Sequence, residues 1–262
     1  MSRPTVSMFG PLAALVSLLA MSVGCRSTTA DLPPAPASAT PSCRNGVGSD
    51  VVARPGGQRV LVHLPACYER SPTMRYPVVV LIHGARADSS QWQDIGITNE
   101  ADRLVRIAEI APVILVMPDR ENTDSVIEAD NAATLIVPWV DATYRTIPDR
   151  AHRAIGGISR GGGAALWAGA TRPDLFGVVA GHSPTVPGDA DDLARRLRPF
   201  SARIWLDVGD GDPLRGPVAA LAAALRVDGS TAEFTVGDGS HDRAYWRHHV
   251  DDYLVFYAAR WR

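Results

Sequence analysis

A chain of 262 residues that is 46% hydrophobic and 21% charged, with both signs mixed, has the composition of a globular protein and not of a disordered or fibrous one. A net charge of −2 offers no basic face to nucleic acid, and every one of the 26 basic residues is arginine, which reads as coding bias rather than chemistry. Once an N-terminal leader and a linker are set aside, roughly 220 residues remain, which suits one α/β domain.

The leader comes first. Arg3 gives a thin positive start, and residues 8–23 are apolar but too short and too poorly flanked for a membrane span, so residues 1–25 read as a signal peptide. Its end, Met21-Ser22-Val23-Gly24-Cys25, resembles a bacterial lipobox with Ser22 where leucine is usual. Lipidation of Cys25 would attach the protein to the cell envelope, and plain secretion, into the periplasm or the medium, is the alternative. Residues 26–42, rich in Pro, Ala, Ser and Thr, cannot bury enough apolar surface to order themselves and read as a flexible linker. The folded domain then spans 43–262. Export also bears on Cys43 and Cys67, because two remaining cysteines in an oxidising compartment suggest a disulfide.

Within the domain, residues 58–64 alternate apolar and polar, the pattern of a half-exposed edge strand. Residues 76–82 form an unbroken β-branched run suited to a strand covered on both faces, and it stops at His83-Gly84-Ala85-Arg86. Helical spacing follows over 98–110, then a second buried strand over 112–117. Residues 129–144 are helical, with Pro138 set to kink them. A short apolar run, 153–158, leads into Ser159, and good helix follows. A strand over 176–180, a helix over 190–197, a strand over 203–208, a helix over 218–225, a last strand over 231–236 and a final helix over 243–259 complete the chain. Strands alternating with helices in this way predict an α/β architecture, a mainly parallel sheet with helices on both faces.

Gly157-Ile158-Ser159-Arg160-Gly161 fills the G-x-S-x-G pattern between a strand and a helix, the context a nucleophile elbow requires. Serine needs a base to take its proton, and the base needs a carboxylate to hold its tautomer. Ser159, Asp212 and His241 each follow a strand directly, so all three fall on the carboxyl edge of the sheet, where such sheets gather their chemistry. Their order in the chain, Ser, Asp, His, is that of α/β-hydrolases. Asp210 competes with Asp212 for the role of acid, and Asp212 is favoured because it lies past the turn. Asp207, inside its strand, reads as structural. Among the other histidines, His248 and His249 sit in the closing helix, and His182 comes too early and reads as hydrogen-bonded within the edge. The oxyanion hole would take one amide from Arg160, after the nucleophile, and one from Ala85, with Gly84 allowing the loop to turn sharply. Trp92 either lines the substrate cleft or anchors that loop. No metal site is evident, since His248-His249 lacks zinc spacing, and no phosphate loop or other cofactor motif is present.

Tyr76-Pro77, Leu81-Ile82-His83-Gly84, Gln91-Trp92, Val116-Met117-Pro118-Asp119, Tyr144-Arg145-Thr146, residues 153–162 and Gly239-Ser240-His241-Asp242 together make the chain similar to the esterase D-like putative esterases. These are α/β-hydrolases that include feruloyl esterases, enterochelin esterases, S-formylglutathione hydrolases and antigen 85 mycolyltransferases. The resemblance covers roughly Arg54 to the C-terminus. It implies Ser159 as nucleophile, Asp212 as acid, His241 as base and the Ala85 and Arg160 amides as oxyanion hole. Where the family carries a glycine-rich loop after His-Gly, this chain has Ala85-Arg86-Ala87-Asp88.

The function expected is therefore that of an exported serine carboxylic-ester hydrolase working through an acyl-enzyme on a small-molecule or polysaccharide-linked ester. Feruloyl-polysaccharide, acetylated-sugar, siderophore and simple aliphatic esters all fit. Two other readings are an acyltransferase that hands the acyl group to a sugar hydroxyl, separable by product analysis with an added acceptor, and a non-catalytic binding module, which a fluorophosphonate probe would leave unlabelled.

Overall fold

The computed structural model describes residues 41–119, 124–198, 202–227 and 232–261. The expected signal peptide, Cys25 and nearly all of the expected linker lie outside these. A short helix, α1 (Pro41–Arg44), precedes strands β1 (Ser49–Ala53), β2 (Val60–Leu64) and β3 (Val78–Ile82). Helices α2 (Ser90–Asp94) and α3 (Ile97–Arg106) lead to β4 (Ile114–Pro118). Helices α4 (Ser125–Asn131) and α5 (Val137–Thr143) precede β5 (Arg153–Ile158), α6 (Arg160–Thr171), β6 (Val178–His182) and α7 (Ala190–Leu197). The chain closes with β7 (Arg203–Gly209), α8 (Arg215–Arg226), β8 (Glu233–Gly237), α9 (Arg243–His248) and α10 (Val250–Ala258).

All eight strands join one sheet in the order β1-β2-β4-β3-β5-β6-β7-β8. The β1–β2 and β2–β4 pairs are antiparallel, and every pair from β4 to β8 is parallel. The β-branched runs of β3 and β4 are buried at every position, as strands covered on both faces must be. Two adjacent glycines of β5 display the two layers. A Cβ at Gly156 would meet the Tyr257 ring of α10, and one at Gly157 would meet the backbone of α6 at Gly161. Successive strand residues point to opposite faces, so helices cover both sides of the sheet. This is the α/β-hydrolase arrangement expected.

Three expectations about elements are corrected. The half-exposed edge strand expected over 58–64 is instead the fully buried β2, flanked by β1 and β4, and the edge on that side is the largely exposed β1. The alternation misled because its polar member, His63, is buried and paired. Its Nδ1 lies 2.8 Å from Asp50 Oδ1 on β1, and its Nε2 lies 3.4 Å from Asp102 Oδ1 on α3. Burial pulls the His63 pKa down, but the flanking Asp102 and Asp50 carboxylates outweigh it and raise the pKa. The single helix over 129–144 is two, α4 and α5, joined by a π-helical turn over Ala132–Ile136 in which the Val137 amide bonds back to Ala132 O. Pro138, lacking an N–H, sits in the first turn of α5, directly after that π-helical turn. The final helix is also two, broken at His249.

Cys43 and Cys67 are disulfide-bonded, closing a loop with a sequence separation of 24, and both are buried. A loop of that size stabilises by roughly 3 kcal/mol through the unfolded chain. The double variant Cys43→Ser/Cys67→Ser should therefore melt roughly 6–12 °C lower in calorimetry, the shift that roughly 3 kcal/mol produces in a domain of this size. An unchanged melting temperature would show that the bridge adds nothing to the native fold.

Candidate active site

The elbow is built by close backbone approach. Ser159, between β5 and α6, holds φ 56° and ψ −118°, a region that costs a non-glycine residue on the order of 1–3 kcal/mol. Its glycine neighbours let the flanking backbones come this close. A Cβ on Gly157 would lie 2.2 Å from the Gly161 carbonyl group, and one on Gly161 would lie 2.3 Å from Ile82 O. The backbone of Ser159 is pinned as well: its N–H donates to His182 O at 2.8 Å, and its carbonyl accepts from Thr185 at 2.9 Å and Gly163 at 3.1 Å.

The structure brings Ser159, His241 and Asp212 into one hydrogen-bonded line. His241 Nε2 is 2.9 Å from Ser159 Oγ, and His241 Nδ1 is 2.8 Å from Asp212 Oδ2. Asp212 is buried, and its Oδ1 accepts from the Leu214 N–H at 2.7 Å, so neither oxygen faces an empty cavity. Asp210 takes no part in the line, because its Oδ1 accepts from the Gly239 N–H at 3.1 Å and fastens one loop to the other. The imidazole of His241 has the Trp246 ring against it edge-on, with centroids 5.2 Å apart.

Beside the serine, the His83-Gly84-Ala85 loop leaves β3. His83 is buried and its Nδ1–H donates to Gly84 O at 2.8 Å. The Gly84 N–H donates to Gln91 Oε1 at 2.7 Å, which fixes the loop from α2. That use of the Gly84 amide makes Ala85 the next backbone donor of the loop, and Arg160 is the first residue of α6. Gln91 was legible only as part of a motif string, and its bond to Gly84 shows what it does.

Trp92 does not line the cleft. It is completely buried and its ring lies edge-on to His182 at 6.2 Å, which, of the two places open to it, favours anchoring over cleft lining. A cleft of about 270 Å³ does open beside the Ala85 loop, lined by Arg86, Asp88, Gln91, Asp94, Arg243 and Trp246. It is polar, with Arg243 paired to Asp94 at 2.9 Å and Asp88 held below the usual carboxylate range by hydrogen bonds from Ser90. Of the competing histidines, His182 is buried and bonded to Asp207 at 2.5 Å, and His249 pairs with Asp252 at 3.2 Å. Among the described residues no cluster of three His, Cys, Asp or Glu side chains could hold a metal, and no helix is long and apolar enough to cross a membrane.

An esterase of Mycobacterium tuberculosis is 28% identical over 223 residues, covering 77% of this chain and 47% of the relative. An endo-1,4-beta-xylanase/feruloyl esterase of Xylanibacter ruminicola is 26% identical over 208 residues, 72% of this chain and 28% of the relative. The chain thus spans about half the length or less of these curated relatives. A solved ferulic acid esterase superposes with a TM-score of 0.71 at 26% identity, covering 81% of this chain and 97% of that one. Residues 55–257 match the family described as Putative esterase, and the chain, carrying its elbow serine on an α/β-hydrolase sheet, belongs to that family.

Proposed function

We propose that this protein is a serine carboxylic-ester hydrolase in which Ser159, His241 and Asp212 form the catalytic triad. The observation that carries the reading is the unbroken line from Ser159 Oγ through both nitrogens of His241 to Asp212. His241 Nε2 takes the hydroxyl proton as Oγ adds to the ester carbonyl, and the Ala85 and Arg160 amides stabilise the oxyanion of the tetrahedral adduct. The adduct collapses to an acyl-serine as His241 returns the proton to the departing alkoxide. Water, deprotonated by the same imidazole, then releases the acid and restores the serine. Asp212 holds the proton of His241 on Nδ1 throughout, so that Nε2 faces the reaction as a base.

The relatives' names, an esterase and a feruloyl esterase, support ester cleavage, and the polar cleft beside the Ala85 loop suits a hydroxyl-rich ester, feruloyl- or acetyl-linked to carbohydrate. Residues 1–25 act in this reading as an export signal, with Cys25 its lipidation or cleavage point, and 26–42 as a tether to the domain at 43–262. The Cys43–Cys67 bridge supports an oxidising compartment.

Incubation with a fluorophosphonate followed by peptide mass analysis should place one adduct on Ser159. A panel of p-nitrophenyl acetate, methyl ferulate and acetylated xylan should show turnover that the same reagent abolishes. An unlabelled Ser159, or hydrolysis that survives labelling, would overturn the assignment.

A further inference from the structure

Behind the catalytic line lies a carboxylate that the proposed reaction does not use. Asp207, on β7 just upstream of Asp212, is 1% exposed. Its Oδ1 meets His182 Nδ1 at 2.5 Å, and its Oδ2 accepts from the hydroxyls of Tyr245 and Tyr253, each at 3.1 Å. The Tyr257 hydroxyl lies 2.8 Å from His182 Nε2. One assignment satisfies every group: His182 donates from Nδ1 and accepts from Tyr257 at Nε2, while Asp207 accepts three times. Burial first, and Asp207 second, push the Tyr245 and Tyr253 phenols well above their usual pKa, so both serve as neutral donors.

The two tyrosines that share Asp207 Oδ2 differ in what they carry. Tyr253 belongs to α10, whereas Tyr245 belongs to α9, which starts two residues after His241. The Tyr245 ring also underlies the loop that presents the base. A Cβ at Gly239 would lie 2.9 Å from Tyr245 Cδ2, and one at Gly237 would lie 3.3 Å from Cε2. The Tyr245 N–H is capped by Asp242 at 3.0 Å, next to His241 in sequence. Other ties across to the Asp212 turn, such as Gly239 N–H to Asp210 Oδ1 and Ser240 Oγ to Gly211 O, are solvent-exposed. Water replaces exposed bonds readily, whereas the buried Tyr245–Asp207 bond has no such substitute.

Granting the proposed triad, we propose that Tyr245 is a positioning residue for His241, bracing the loop of the base through Asp207 against the strand that presents the acid. Removing its hydroxyl lets the 238–242 loop drift, and His241 then spends less time within reach of both Ser159 Oγ and Asp212 Oδ2.

The test compares Tyr245→Phe with Tyr253→Phe. Each deletes one hydrogen bond to the same oxygen, but only the first touches the loop. Tyr245→Phe should lower kcat on the order of tenfold with KM within about twofold, since small misplacements of a catalytic group act on the transition state. Tyr253→Phe should leave both constants within about twofold. Amide hydrogen exchange of the 237–243 segment should quicken in Tyr245→Phe alone, and this readout needs no activity. Equal kcat losses in both variants, or unchanged exchange in 237–243, would overturn the brace. If the wild-type protein shows no hydrolysis dependent on Ser159, the proposed function fails, and the exchange comparison still decides the role of Tyr245.

Discussion

Replacing Ser159 with alanine should lower kcat for any ester this protein hydrolyses by about 10⁴–10⁶-fold, because a triad acts as a unit and loses nearly everything with its nucleophile. That factor corresponds to about 5–8 kcal/mol of transition-state stabilisation. A residual rate above the uncatalysed reaction, on the order of 10³-fold, should persist from the proposed oxyanion amides of Ala85 and Arg160 and from substrate binding. The fold should survive. Ser159 Oγ bonds only to His241 among the described contacts, and the strained backbone at φ 56° costs alanine what it costs serine. The check is steady-state kinetics on p-nitrophenyl acetate beside a melting curve. A variant that keeps more than a hundredth of wild-type kcat at unchanged melting temperature would exclude Ser159 as nucleophile.

The second large effect separates two aspartates that lie two positions apart in the chain. Asp212→Asn should cost about 10⁴-fold in kcat, the loss seen when the carboxylate of such a triad becomes an amide. The local bonds explain the size. Leu214 N–H donates to Asp212 Oδ1, so the asparagine carbonyl would settle there and turn its NH₂ towards His241 Nδ1. Nδ1 must then accept, the imidazole proton moves to Nε2, and the base presents an N–H to Ser159. Asp210→Asn should stay within about threefold, because its oxygen only receives the Gly239 N–H and the asparagine carbonyl can do the same. Parallel kinetics of the two variants decide the matter. Comparable losses in both would return Asp210 to candidacy.

The contrast between these residues shows where sequence reading reaches its limit. Both carboxylates follow β7, and composition and spacing cannot say which turns back. The answer depends on Gly239, a residue far along the chain whose amide occupies Asp210 and leaves Asp212 for the imidazole. Trp92 teaches the same lesson. An aromatic residue after an oxyanion loop has two natural destinations, cleft or core, and only packing against His182 selects the core. A polar residue at an alternating position normally faces water, so the pattern alone points to an edge strand. Here His63 has two carboxylates to pair with, so β2 lies inside and β1 forms the edge.

What residue order alone determined is everything local or periodic: the buried β-branched strands, the strand–elbow–helix around Ser159, the order Ser, Asp, His, and the placement of all three at strand ends. These follow from backbone sterics and side-chain periodicity, which act over a few residues. Tertiary structure decided which aspartate meets the base, where Trp92 points, and how Tyr245 and Asp207 join the loop of His241 to the strand before Asp212. Those contacts link groups 29 to 38 positions apart, or more, across the sheet. No short-range preference encodes such distances. They are set by which buried donors and acceptors must find partners once the strands are side by side.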